Sequence, residues 1–416
     1  MRKSALVLSG GGTKGIYQCG AIAALKRLGR DRWDIITGTS VGALNAAMLV
    51  QGDFEAMEDM YEHLEADQIV NGYVPKDLSL TGLIKDRRHV LPALGDYLKN
   101  EGMDISPFLD MVDRYYAPER FFASDIEFGC VTAARPGYHP VYVTKEMMRE
   151  NGADWLVASA SAYPAFPVKV IGGTEYVDGG YADNSPIDFA LRLGAQEVTA
   201  IEMHEKVLHP GYLGREHITI VHPQQELYGL LDFDKVKMLR AKTLGYLDTM
   251  KAFGILAGIR YSFTPFGLPK GFDPWYLRVM MLEARAGREA GRWTSDEAVM
   301  EALRLGSGRA QLGYVDMFFA ALDCLMTAAG LDDTHVWDFR DAREKLREFL
   351  AGTDPEAAGN WGSVRAFSGK EEAVRYFLKQ VKGAEDESTA GAAGAYLEVR
   401  FPFAAALADF WKNVVM

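Results

Sequence analysis

One five-residue stretch, Gly38-Thr39-Ser40-Val41-Gly42, constrains this chain more than any other. It stands between a short apolar run at 34–37 and a run of small apolar residues at 41–50. A strand that passes straight into a helix through G-x-S-x-G makes a turn too sharp for bulky neighbours. Gly38 and Gly42 supply the room, and the turn pushes the Ser40 hydroxyl outward. The helix behind it aims its positive end at that oxygen. The competing reading is a glycine-rich turn with a serine cap. The position narrows the choice. One strand-like run (5–9) and one helical run (16–28) precede it, whereas the usual α/β-hydrolase places several strands before its serine. An ordinary Ser-Asp-His topology is therefore disfavoured.

Between those first two runs lies Gly10-Gly11-Gly12-Thr13-Lys14-Gly15. Glycines in a strand-to-helix loop let successive N–H groups converge on an anion, and the helix start adds its dipole. The loop also matches G-x-G-x-x-G, so a dinucleotide-dependent oxidoreductase must be weighed. That fold wants an acid at the end of its second strand, and Asp34 stands at the start. Ile16, where a P-loop would have lysine, excludes that motif. Farther on, Asp178-Gly179-Gly180 closes a strand-like stretch at 175–177. An aspartate there can reach a serine hydroxyl as a general base, although Asp-Gly is also a common turn. His204, His209, His217 and His222 all follow Asp178. Their spacing fits no zinc motif, and ordinary loop or strand-end positions are the simplest account of them.

The rest of the first half alternates strand-like runs (128–134, 140–144, 197–203, 217–222) with helical ones. This predicts a mainly parallel sheet covered on both faces. From Gln224 the pattern turns helical. The run 342–350 ends before Gly352, Ser368 and Glu371 form a capping box ahead of 373–381, and 383–394 reads as a linker. Aromatic and aliphatic residues at 53–125, among them Tyr61, Leu64, Tyr73, Phe108, Tyr115 and Phe121, suit either a pocket wall or core packing. Leu230, Leu231, Phe233 and Leu244 suit a cap or membrane-contact helix, or a helix packed on the sheet.

Charge and cysteine usage exclude other classes. The net charge is −12, and residues 1–220 hold 21 basic against 30 acidic side chains, so no basic face for nucleic acid emerges. Cys19, Cys130 and Cys324 are too few and too scattered for a disulfide framework or a thiolate metal site. The apolar stretch at 4–8 is shorter than a signal peptide core, and no run approaches the roughly 18 apolar residues of a spanning helix. A cytoplasmic location is the expectation, with peripheral membrane contact left open.

GGGTKG, GTSVG and DGG, in that order, resemble the patatin-like phospholipases. The stretches ASASAYPAFPV (158–168) and YADNSPI (181–187) resemble that family's segments around the aspartate. The resemblance covers roughly residues 1–222. It implies a three-layer α/β/α domain with a mainly parallel central sheet over 1–223, followed by a mostly helical region of unknown role over 224–416. It also implies a Ser40–Asp178 dyad without histidine. The Gly10–Gly15 loop becomes an oxyanion hole, with donors around Gly11, Gly12 and Thr13, and with Lys14 pointing to solvent or helping to orient the loop. Gly38, Gly42, Gly179 and Gly180 support these turns. The implied substrate is a lipid or other acyl ester, with no metal and no organic cofactor. The alternatives are the oxidoreductase above and a non-catalytic lipid-binding protein.

Overall fold

The computed structural model describes residues 2–72, 102–289, 299–307, 312–353, 361, 364, 367, 371–382 and 401–416. Tyr73, the capping box at Ser368 and the 383–394 stretch lie outside the described residues. The chain divides into two compact units, Met1–Ala252 and Phe253–Met416.

The first unit is built on an eight-stranded mixed sheet. Its strands are β1 (Ser4–Leu8), β2 (Ile35–Thr39), β3 (Glu127–Arg135), β4 (His139–Thr144), β5 (Lys169–Ile171), β6 (Thr174–Asp178), β7 (Glu197–Ile201) and β8 (Ile218–Val221). The order is β5-β6-β3-β2-β1-β7-β8, with β4 also on β3. The run β3-β2-β1-β7-β8 is parallel, while β4, β5 and β6 add antiparallel pairings. Alternation explains why the central strands are apolar throughout. Ala5 and Val7 pack with Ile187 and Ala190 on one face, while Leu6 and Leu8 are equally buried on the other.

The described helices of this unit are α1 (Gly15–Arg27), α2 (Val41–Val50), α3 (Phe54–His63), α4 (Ser106–Tyr115), α5 (Pro118–Ala123), α6 (Met148–Ser159), α7 (Ile187–Arg192) and α8 (Lys235–Ala252). Helix α8 lies tightly along α1. A Cβ on Gly20 would overlap the Lys242 carbonyl, and one on Gly245 the Tyr17 carbonyl. Tyr17 donates to Asp248 at 2.9 Å, and Asp248 pairs with Lys251 at 2.9 Å, all buried at this crossing. The segment 227–252 thus packs on the sheet unit, as one of the two sequence readings has it.

One detail of the sheet places the site. Along one edge of β3, residues 127–131 pair with β2 and residues 132–135 with β6; β4 covers the other edge. Strand β2 runs parallel to β3 and ends with Thr39 opposite Val131. Strand β6 arrives antiparallel and ends with Asp178 opposite Thr132. Two strands from opposite directions therefore stop at adjacent positions on one edge, bringing Ser40 to Asp178.

The second unit is mainly helical, with α9 (Phe272–Glu289), α10 (Val299–Ser307), α11 (Tyr314–Ala328), α12 (Phe339–Gly352), α13 (Glu371–Lys382) and α14 (Pro402–Phe410) around an aromatic-rich core. A two-stranded parallel ribbon joins β9 (Ser262–Phe263) to β10 (Val336–Trp337). Asp323 is buried within the largely apolar helix α11 because its carboxylate accepts the backbone N–H groups of Arg260 at 2.8 Å and Tyr261 at 3.4 Å.

Candidate active site

Ser40 occupies the turn between β2 and α2 with φ 57° and ψ −131°, a region side chains avoid. Close approach enforces the glycines of the motif. A Cβ on Gly38 would overlap the Gly42 carbonyl, and one on Gly42 the carbonyl of Leu8. The Ser40 N–H donates to Ser159 Oγ at 2.9 Å, and Ser40 Oγ donates to Asp178 Oδ2 at 2.6 Å.

Asp178 is held as firmly. Its Oδ1 accepts the Gly180 N–H at 2.7 Å, and its own N–H donates to the Ser161 carbonyl at 2.8 Å. Gly179 follows because a Cβ there would overlap the Val131 carbonyl. Burial pushes the Asp178 carboxyl up from 3.8 to about 6, against the two hydrogen bonds from Ser40 and Gly180 that favour its ionised form.

The glycine loop passes beside this pair, with Gly12 at φ 58°. Four of its six amides are already engaged. Gly10 N–H donates to the Asn184 carbonyl (3.2 Å) and to Asn184 Oδ1 (3.1 Å), Thr13 N–H to the Leu230 carbonyl (3.0 Å), Lys14 N–H to the Gly11 carbonyl (3.3 Å), and Gly15 N–H to the Gly12 carbonyl. Gly11 and Gly12 N–H meet no protein acceptor among the described residues. Residues 228–232 tie the loop down: Thr13 Oγ1 donates to the Asp232 carbonyl at 2.9 Å, and Tyr228 donates to the Thr13 carbonyl at 2.9 Å. Lys14 is half-buried, and burial lowers its ammonium against the opposing pull of Glu226. Asp34, the acid weighed for a nucleotide ribose, is instead engaged at the start of β1, where it accepts the Ser4 N–H at 2.8 Å.

Ser40, Asp178 and Gly10–Thr13 open into a cavity of about 440 Å³. Its walls are largely apolar, including Val41, Leu44, Met48, Met60, Leu156 and Phe166. Of the aromatic cluster foreseen between α2 and β3, Tyr61, Phe108, Tyr115 and Tyr116 line it, whereas Phe121 packs in the core against Phe128. Leu230, Leu231 and Phe233 form another wall. Among the four clustered histidines only His204 reaches the cavity. Burial and the Lys14 charge lower its pKa, and its buried Nδ1 has no partner among the described residues. His209 lies 3.5 Å from Asp183, His217 contacts Arg2, and His222 contacts the Glu205 carbonyl. Sequence reasoning missed Ser159 and Asn184 as partners of the two turns. Both fall in stretches that it set aside as supporting, and nothing local marks which polar residue bonds to which amide.

Residues 6–191 match the family model described as patatin-like phospholipase. The first unit carries a patatin-like phospholipase domain. The relatives point the same way. The domain region is 28% identical over 208 residues to a cUMP-AMP-activated phospholipase of Escherichia coli, covering 45% of this chain and 57% of that protein. It is 27% identical over 214 residues to lysophospholipase nte1 of Aspergillus terreus, covering 49% of this chain and 12% of the fungal one. The match thus spans little more than half of one relative and a small part of the other. Among solved structures, VipD from Legionella pneumophila aligns over all of this chain and 93% of its own at 14% identity and a TM-score of 0.40. The type III effector ExoU aligns over 99% and 88% at 13% identity and 0.28.

Proposed function

We propose that this protein hydrolyses acyl esters of lipids, with Ser40 as nucleophile, Asp178 as general base and the Gly11 and Gly12 amides as oxyanion donors. The observation that carries this is the 2.6 Å hydrogen bond from Ser40 Oγ to Asp178 Oδ2 on the wall of an apolar cavity. A carboxylate raised to about 6 is basic enough to take a proton and still ionised at neutral pH. Ser40 Oγ attacks the ester carbonyl while its proton passes to Asp178. The carbonyl oxygen, now anionic, is met by the two amides that no protein acceptor claims, and such a donor contributes about 2.7–4 kcal/mol. As the intermediate collapses, the alkoxide leaves with the proton from Asp178. Water then attacks the acyl-enzyme, losing its proton to Asp178, and Ser40 is regenerated as the fatty acid departs.

The apolar walls favour a hydrocarbon chain over a polar acyl group. The test is a panel of phospholipids, lysophospholipids and neutral acyl esters, read by product mass, together with fluorophosphonate labelling. Label on Ser40 and fatty-acid release, both lost in Ser40→Ala, are the expected results. Hydrolysis undiminished in Ser40→Ala would overturn the reading. Because one relative is named as cUMP-AMP-activated, the panel is run with and without a cyclic dinucleotide.

A further inference from the structure

The edge of β3 changes partner between Val131, opposite β2, and Thr132, opposite β6. At that seam the chain leaves β2 for the turn at Ser40, so the regular ladder can no longer serve every backbone group. A side chain takes its place. Ser159, the last residue of α6 and fully buried, donates from Oγ to the Val131 carbonyl at 2.6 Å and accepts the Ser40 N–H at 2.9 Å. A hydroxyl is the smallest side-chain group that donates and accepts at once. Two residues on, the Ser161 carbonyl accepts the Asp178 N–H.

We infer that Ser159 is a positioning residue for the reaction, fastening the amide of the nucleophile to β3 across the seam. The inference rests on the Ser40–Asp178 reading above. Ser40 sits at φ 57°, where the backbone gains nothing from its own preference and is held by its surroundings. The Ser159 bond supplies that hold at the amide itself, fixing the direction of the Cα–Cβ bond and hence the 2.6 Å approach of Oγ to Asp178. It also withdraws the Ser40 N–H from any oxyanion, leaving that task to Gly11 and Gly12. Ser159 touches no reacting atom, so its contribution appears in turnover rather than in affinity.

Wild type, Ser159→Ala and Ser159→Thr are compared by the rate of fluorophosphonate labelling at Ser40 and by kcat and KM on a soluble acyl ester. Rates are normalised to labelled sites, so that misfolded protein does not count. Ser159→Ala is expected to lose about 10- to 100-fold in kcat and in labelling rate, with KM within about twofold of wild type. The midpoint of its acid limb should move upward, because a loosened Ser40 hydroxyl no longer helps to hold the Asp178 carboxyl down. Ser159→Thr, which keeps the hydroxyl, should recover most of the loss per labelled site. Ser159→Ala with normalised kcat within twofold of wild type overturns the inference, as does an equal per-site loss in Ser159→Thr. Failure to label Ser40 in wild type is a separate outcome, which removes the dyad reading and this inference with it.

Discussion

Asp178 answers two opposed demands: burial disfavours its charge, while Ser40 and Gly180 both donate to it. If it is the base, kcat/KM should rise with pH through a midpoint near 6 and then level, falling about tenfold at one pH unit below that midpoint. A pH–rate profile on a soluble ester checks this. The same residue should cost the fold stability. Its carboxyl holds a proton more tightly folded than unfolded, so its contribution is fully favourable below pH 3.8 and is lost as pH rises through about 6. The full gap is worth at most about 3 kcal/mol. Asp178→Asn should therefore abolish hydrolysis yet melt no lower than wild type at pH 8, with the difference shrinking below pH 4. Thermal melts at the two pH values test the sign.

At the scale of elements, α1 and α8 cross with backbone against backbone. Gly20 and Gly245 let backbone meet backbone, and any larger residue must force the helices apart. Gly245→Val is expected to cost about 1–3 kcal/mol, seen as a lower melting temperature. The three chemical motifs are legible in sequence because each is a short glycine turn written in consecutive residues, even where the atom a Cβ would strike lies far along the chain, as Leu230 does for Gly12, Leu8 for Gly42 and Val131 for Gly179. Gly38 and Gly42 belong to one elbow, and Gly179 to the turn it makes. The early strands are legible because both faces of the sheet are covered and the runs are uniformly apolar. The antiparallel arrival of β6 beside β2 is a different matter. Its pairing joins residues 132–135 to 175–178, and no local pattern in 174–178 says which edge it will take. The bond of Ser159 to Ser40 and the tether of Asn184 to Gly10 are likewise distant pairings of common residues. The fit of Gly20 to the Lys242 carbonyl depends on a helix more than two hundred residues away.

Across the whole molecule, every described residue that lines the cavity falls within the first unit. Residues 228–233 contribute both a wall and the anchors of the glycine loop. A chain ending at Ala252 is expected to hydrolyse a soluble ester, whereas one ending at Pro223 should lose that activity by a hundredfold or so, as Gly11 and Gly12 lose their support. Expression of the two lengths, followed by esterase assay, tests this. Among the described residues no helix is long and apolar enough to cross a membrane. With −9 of the −12 charge on residues 1–220, salt should do little to weaken lipid binding that depends on the apolar walls. The seam on β3 also sets what kind of change the chain can absorb over time. One residue inserted in β2 or β6 would move its end by about 3.3 Å and turn its last side chain to the opposite face. The connections that lead into these two strands can lengthen without disturbing the distance between serine and aspartate, whereas the turns that leave them cannot. Strand β3 thus serves as a ruler, and lineages descending from this chain are free to vary in their loops but not in the length of the two strands measured against it.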